Sequence, residues 1–227
     1  MKTLQKFGGF AALYMAFAHL MGLIIFIVIL DYISITDLAQ KVAMNVNNQA
    51  VVFSTNLLMY VFFGFFLIVF VLALYNRLKV GAPALMQVAT VIGIIWAGSL
   101  IASGMVANAA LTSVVALHAA DPAQAALTWQ GIEPVIDGLG NANGEILGGL
   151  MTLLISLAAL RSGELPKGLN ILGLLVGAMG IVTIIPALNA MVAVFGLGQI
   201  FWFIWMGIAL LRSNSDKAVT SEILKPA

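Results

Sequence analysis

The stretch at residues 51–75 reads VVFSTNLLMYVFFGFFLIVFVLALY and contains no charged residue. The hydrocarbon core of a bilayer is about 30 Å thick, and a helix of about 20 apolar residues crosses it. This stretch is therefore long enough to span a membrane as a single helix. Comparable apolar runs lie near residues 7–30, 84–107, 141–160, 168–188 and 192–211. The pattern predicts an all-α, polytopic membrane protein built as a six-helix transmembrane bundle.

Composition supports the same class of protein. Hydrophobic residues make up 62% of the chain and charged residues 8%, whereas soluble domains carry about 25% charged residues. The connections between the predicted spans are short on one side, so we expect one transmembrane domain over residues 1–227. On the other side, segments 31–50 and 108–140 leave room for further structure. Within the second, Asp121 and Pro122 are typical of the N-cap and first position of a short helix.

Basic residues indicate the orientation of the chain. Nine of the ten Lys and Arg residues fall at the ends of the spans that would share one side, and Lys41 falls on the other. By the positive-inside rule the nine-residue side is cytoplasmic. Both termini, including the tail at 212–227, are then inside, and segments 31–50 and 108–140 are external. We expect a bacterial cytoplasmic (inner) membrane protein whose partners are membrane lipid and either another membrane protein or a second copy of the chain.

Polar side chains within the predicted spans concentrate in the external half. Uncompensated polar groups cost several kcal/mol in hydrocarbon, so such residues should face other helices or a water-filled recess. We therefore predict an outward-facing ligand recess. Its predicted lining residues are His19, Asn56, Ser103, Asn141, Glu145, Thr152 and Gln199.

Two of these residues are ionisable, and each allows two interpretations. Glu145 either lies at the interface, solvated or paired with Lys41 or His118, or serves as a proton, cation or ligand site. His19 is either a buried neutral imidazole with a hydrogen-bond partner, or a ligand or proton-relay group. Gly173, Gly177 and Gly180 share one helix face, and the first two form a small-xxx-small motif that favours close helix packing.

Several kinds of chemistry have no support in the sequence. The chain contains no cysteine, which removes thiol catalysis and iron–sulfur clusters. Its eleven methionines are scattered as core filler. We predict no catalytic residue, no metal site and no cofactor, and the sparse basic residues give no support for nucleic-acid binding.

Four segments resemble a bacterial family of six-span membrane proteins, the domain of unknown function four-three-eight-six. They are LALYNRLK at residues 72–79, NANGE at 141–145, LRSGELPKGLNILG at 160–173 and GQIFW at 198–202. Members of that family often carry His-Asn-x-Gly at the head of the fourth span, whereas residues 139–144 read LGNANG here. The resemblance implies an architecture and a bacterial cytoplasmic membrane, but no reaction.

Three functions are consistent with these observations. The leading hypothesis is a non-enzymatic membrane protein, either an accessory subunit or a binder of a small apolar or amphipathic ligand in the recess. The second is a proton-coupled transporter of small molecules that uses Glu145. The third is an intramembrane enzyme with Glu145 or His19 as acid or base.

Overall fold

A computed structural model describes residues 2–140 and 145–223. Helices make up 89% of the structure, and the described residues contain no β-strand. The predicted all-α class is therefore confirmed.

The helices follow one another with short connections. The α-helices are α1 (Lys2–Leu23), α2 (Leu38–Asn47), α3 (Gln49–Asn56), α4 (Phe63–Leu78), α5 (Pro83–Ala120), α6 (Pro122–Leu139), α7 (Ile146–Ser162), α8 (Lys167–Val182) and α9 (Met191–Ile223). A π-helical turn at Ile24–Ile29 extends α1, and another at Leu57–Phe62 joins α3 to α4. Short 3-10 turns cover Tyr32–Ser34 and Pro186–Leu188.

Within the described residues, four continuous helical segments are long and apolar enough to cross a membrane. They are Thr3–Ile29, Gln49–Leu78, Pro83–Ala120 and Met191–Arg212. The chain thus has the character of a membrane protein, as its composition indicates. Two shorter apolar helices, α7 and α8, have 17 and 16 residues.

The helices in the predicted fourth and fifth spans are shorter than predicted. The helix in span 141–160 begins at Ile146, so Glu145 precedes the first helical turn. The helix in span 168–188 ends at Val182, before a 3-10 turn that starts at Pro186. Proline lacks the backbone N–H that a continuing helix needs, which explains the early end.

The predicted break at Asp121 is present. Helix α5 continues to Ala120, well past the predicted end of its span at residue 107. The Asp121 carboxylate then accepts hydrogen bonds from the N–H groups of Ala123 and Gln124, both at 3.0 Å. This N-cap starts α6, with Pro122 in its first turn. Segment 108–140 is therefore mostly helical.

Internal contacts divide the chain into two compact units. Unit 1 consists of Met1–Phe17, Phe66–Trp96 and Gly144–Ala227, and unit 2 of Ala18–Phe65 and Ala97–Asn143. Three of the boundaries fall inside α1, α4 and α5. Single helices therefore contribute to both units, and the expectation of one domain stays a prediction.

In unit 1, α7 and α8 approach closely through glycines. A Cβ atom added at Gly177 would lie 2.7 Å from the carbonyl oxygen of Gly149, and one added at Gly149 would lie 2.8 Å from that of Gly177. Gly173 lies against Ser156 and Trp202. Gly180 lies against Gly149 and Phe195. Small residues allow helices in lipid to pack backbone to backbone.

In unit 2, α2 packs against α5 and α6. The buried contact cluster consists of Val42 on α2, Ala110 and Val114 on α5, and Ala125 and Trp129 on α6. Asp37 starts α2 by accepting a hydrogen bond from the N–H of Gln40 at 2.8 Å. Both segments that were predicted to be external therefore contain helices, and these helices pack together within unit 2.

Candidate functional site

A cavity of about 200 Å³ lies within unit 2, and its walls combine aromatic, amide and carboxylate side chains. We call it the aromatic cavity. Its lining residues are Phe26, Tyr32, Asn45, Val52, Asn56, Tyr60, Ala107, Trp129, Ile136 and Asp137. An apolar cavity of about 150 Å³ holds benzene, and sites for drug-sized ligands measure about 300–1,000 Å³. The aromatic cavity therefore has room for a small molecule or a headgroup.

The two π-helical turns each deliver one aromatic wall of the cavity. Phe26 lies in the turn Ile24–Ile29, and Tyr60 lies in the turn Leu57–Phe62. A π-helical turn accommodates an extra residue, and such turns are frequent at functional sites. Just before the second turn, α3 is tied to α5, because the side-chain amide of Asn108 donates to the carbonyl oxygen of Phe53 at 3.2 Å. These irregular turns aim side chains that a regular helix would point elsewhere.

Hydrogen bonds from α5 hold the end of α6 in place. Ser103 Oγ donates to the carbonyl oxygen of Ile136 at 2.8 Å, and Ser99 Oγ donates to that of Leu139. The last carbonyls of a helix lack partners within it, and Ser99 supplies one for Leu139. The Ile136 carbonyl also accepts the N–H of Gly140 at 2.8 Å, so Ser103 gives it a second hydrogen bond. Ser103 was predicted to line the recess, but it is not among the lining residues of the aromatic cavity. It instead holds the backbone of Ile136, which lines the cavity and precedes Asp137.

Amide side chains supply the polar part of the cavity wall. Asn45 is 1% exposed, and its Nδ2 has no hydrogen-bond partner among the described residues. Asn56, a predicted site residue, lines the same cavity and donates from Nδ2 to Asn108 Oδ1 at 3.0 Å. An unsatisfied buried donor costs about 1–3 kcal/mol. Because Nδ2 is itself fully buried, a bound acceptor would relieve that cost once the Asn45 side chain turns toward the cavity.

A hydrogen-bonded ion pair lies beside the cavity. The Tyr32 hydroxyl donates to Glu133 Oε1 at 2.6 Å, and Lys41 Nζ lies 2.9 Å from the same oxygen. The ammonium of Lys41 is also 5.0 Å from the centre of the Tyr32 ring. Burial alone would raise the pKa of Glu133, but the hydrogen bonds from Tyr32 and Lys41 and the Lys41 charge outweigh it and hold that pKa below its ordinary value. Glu133 is therefore ionised and neutralised by Lys41.

Asp137 adds a second carboxylate without a second cation. Among the described residues, no Lys, Arg or His forms an ion pair with it. Partial burial and the neighbouring Glu133 charge raise the pKa of Asp137, and Lys41 opposes that rise. With Glu133 paired to Lys41, Asp137 is the carboxyl group of this set that no described cation pairs with, and its ionised form gives the set a net negative charge.

Two other predicted site residues pair with each other inside unit 1. Thr152 and Gln199 are both fully buried. Gln199 Nε2 donates to Thr152 Oγ1 at 3.0 Å. This bond satisfies both side chains within the packing of α7 against α9.

Glu145 lies at the start of α7 in unit 1. Its backbone N–H donates to Thr183 Oγ1 at 2.8 Å, and that hydroxyl donates in turn to the carbonyl oxygen of Gly180 at 2.6 Å. Its carboxylate forms no ion pair with any described residue. Lys41, one of the partners considered for Glu145, pairs with Glu133 instead.

His19 and Asn141 complete the predicted set. The His19 ring packs edge to face against Phe63, with ring centres 5.7 Å apart. Its Nδ1 is buried and has no hydrogen-bond partner in the described part of the chain. His19 is not one of the residues that line the aromatic cavity. Asn141 lies outside the described residues.

The aromatic cavity has the chemistry of a binding site. Its rings can cover apolar surface, Asn45 offers a donor and Asp137 offers an anionic acceptor. Ligand pockets commonly combine apolar walls with a few placed polar groups in this way. No protein-family model, curated protein or solved structure matches this chain.

Proposed function

We propose that this chain is an integral membrane protein that binds a small amphipathic molecule in the aromatic cavity. The observation that carries the proposal is the buried amide of Asn45, which lines the cavity and lacks a hydrogen-bond partner among the described residues. A ligand with an acceptor would satisfy that amide, while the aromatic rings cover its apolar part. This function corresponds to the binder form of the hypothesis drawn from the sequence.

A cavity-filling variant tests the proposal. Ala107 lines the cavity and is 3% exposed, so Ala107→Leu should fill part of the space. Ala116 lies on the same helix but is exposed, so Ala116→Leu is the matched control. We expect mass spectrometry of protein purified in mild detergent to find a compound that the wild type and the control retain and Ala107→Leu loses. Identical bound material in all three proteins would refute the binding function.

The proposed membrane arrangement has six crossings, with both termini in the cytoplasm of a bacterium. Four helices of sufficient length and the one-sided distribution of basic residues support it. Helices α7 and α8 would complete the six, because 16 or 17 residues cover about 25 Å at about 1.5 Å per residue. A slightly thinned bilayer accommodates helices of this length. The resemblance to the six-span family points to the same arrangement.

Cysteine labelling tests this topology directly, because the chain has no cysteine of its own. We expect a membrane-impermeant maleimide to label Gln124→Cys in intact cells. Lys6→Cys and Lys167→Cys should react only after the cells are permeabilised. Labelling of either lysine position in intact cells would contradict the proposed orientation.

Proton-linked transport remains the second candidate because of Glu145. Its carboxylate lies at the start of an apolar helix and has no ion-pair partner among the described residues. If this acid carries protons, a pH gradient across proteoliposomes should drive ligand uptake in the wild type and not in Glu145→Gln. Equal uptake by both proteins would remove this candidate and leave binding in the aromatic cavity unaffected.

A further inference from the structure

We infer that the aromatic cavity selects a small organic cation that also carries a hydrogen-bond acceptor. An amino alcohol has this chemistry, and so does the ammonium headgroup of a phospholipid. The inference rests on the proposed binding function and adds the chemical class of the ligand. Charge, aromatic geometry and the unpaired amide each support it separately.

The charge around the cavity favours a cation. Lys41 pairs with Glu133 at 2.9 Å and is thereby neutralised. Asp137 lines the cavity, and no described basic residue forms an ion pair with it. One negative charge is therefore left over at the cavity. A bound cation would balance it, whereas a bound anion would meet repulsion from Asp137.

Aromatic rings provide the matching surface. Phe26, Tyr32, Tyr60 and Trp129 all line the cavity. Phe26 and Tyr32 pack nearly perpendicular, with ring centres 5.8 Å apart. The faces of such rings carry negative electrostatic potential, and sets of them bind methylated ammonium groups. The ammonium of Lys41 already lies 5.0 Å from the centre of the Tyr32 ring, so the same ring attracts a cation within the protein.

The amide of Asn45 defines the second part of the ligand. Its Nδ2 is a donor, and a quaternary ammonium group has nothing to accept that hydrogen bond. The ligand must therefore also carry an acceptor, such as a hydroxyl or a phosphate ester oxygen. A cavity of about 200 Å³ has room for both groups only if they are a few bonds apart.

Choline and its neutral analogue 3,3-dimethyl-1-butanol separate charge from shape, since the analogue replaces the ammonium nitrogen with carbon. Isothermal titration of the full chain in detergent should show choline binding about tenfold or more tightly than the analogue, the range expected for one charged contact. Asp137→Asn should remove this preference by weakening choline alone. Glu164→Gln is the matched control, because it also removes one carboxylate, lies in unit 1 and does not line the cavity. It should leave both affinities unchanged.

Tetramethylammonium tests the role of Asn45, since it has the charge but no acceptor. Asn45→Leu should weaken choline and leave tetramethylammonium binding unchanged, and the latter result also shows that the variant is folded. Equal weakening of both ligands, or of neither, would overturn the role given to the acceptor.

The outcomes distinguish this inference from the proposed function. If the neutral analogue binds as tightly as choline, selection for a cation is wrong and ligand binding stands. If neither binds but the wild type retains a compound that Ala107→Leu loses, the cation inference is again wrong and the binding function survives. If no compound is retained either, both fail.

In nanodiscs, choline binding that disappears in phosphatidylcholine but not in phosphatidylglycerol assigns the cavity to a lipid headgroup. Equal binding in the two lipids assigns it to the free alcohol.

Discussion

Replacing Gly177 with alanine should force α7 and α8 apart. The new Cβ atom would lie 2.7 Å from the carbonyl oxygen of Gly149 and 2.7 Å from the backbone nitrogen of Leu153. Both are backbone atoms of the facing helix, which cannot rotate away as a side chain can. The helices must therefore separate, and the contacts beside Gly177 are weakened with them.

Gly196 on α9 provides the matched control. A Cβ atom added there meets nothing within 4 Å. Both substitutions gain the helix propensity of alanine over glycine, about 0.8–1.0 kcal/mol in water, so this gain cancels in the comparison. What remains is the cost of overpacking at Gly177, typically about 1–3 kcal/mol. We expect Gly177→Ala to be less stable than Gly196→Ala by that amount.

The free energy of unfolding of the two variants can be compared by titration with a denaturing detergent under identical conditions. Gly177→Ala should unfold at a lower denaturant fraction than Gly196→Ala. If Gly177→Ala proves as stable as Gly196→Ala, the glycine contact between α7 and α8 is not close enough to matter, and the reasoning fails.

Three further predictions concern polar contacts. Choline affinity should fall as the pH drops through the pKa of Asp137. Burial and the Glu133 charge raise this pKa above its ordinary 3.8, and Lys41 partly opposes the rise. In Asp137→Asn, choline affinity should stay nearly constant between pH 7 and pH 4. Lys41→Met should lower the melting temperature at pH 7. The difference from wild type should begin to shrink below about pH 4.5, where unfolded glutamate takes up a proton, and should be lost as the pH falls through the depressed pKa of Glu133. Thr152→Val should cost about 1–3 kcal/mol of unfolding free energy by leaving the fully buried Gln199 without its partner, and adding Gln199→Leu should restore much of it.

Hydropathy predicted the helical class because a membrane-spanning helix appears in the sequence as a run of about 20 apolar residues. It also located the break at Asp121, since an N-cap followed by proline is a local pattern that does not depend on the rest of the fold. The lengths of α7 and α8 were less predictable. The apolar run of the fifth predicted span continues past Val182, but the α-helix ends there, ahead of Pro186.

The candidate site was harder to find from sequence than the helices. The predicted site residues were chosen because they are polar and lie in the external half of the predicted spans. Of these, Asn56 lines the cavity, whereas Thr152 and Gln199 form a hydrogen bond with each other. Hydropathy cannot tell a polar residue that pairs with a neighbour from one that faces a ligand, because that depends on contacts between distant helices.

Of the ten residues that line the cavity, only Asn56 was predicted as a site residue. The nine that were missed include every aromatic and both polar groups used in the proposals: Phe26, Tyr32, Asn45, Tyr60, Trp129 and Asp137. A usable signal was present on α6, where Trp129, Glu133 and Asp137 recur every four residues and so share one face. Phe26 also shares a helical face with His19 and Gly22 by its spacing. For Tyr60 the periodic signal is weaker, since the π-helical turn changes the periodicity on which a helical-wheel projection relies.

The π-helical turn at Leu57–Phe62 has a consequence for how such a site can arise. A turn of this kind holds one residue more than the regular helix, so deleting one residue within it would restore the α-helical backbone and rotate Tyr60 by about 100°. The remaining helix would still be long enough to cross a bilayer. Insertion or deletion of a single codon can thus create or remove a pocket of this design, while the helix still spans the membrane.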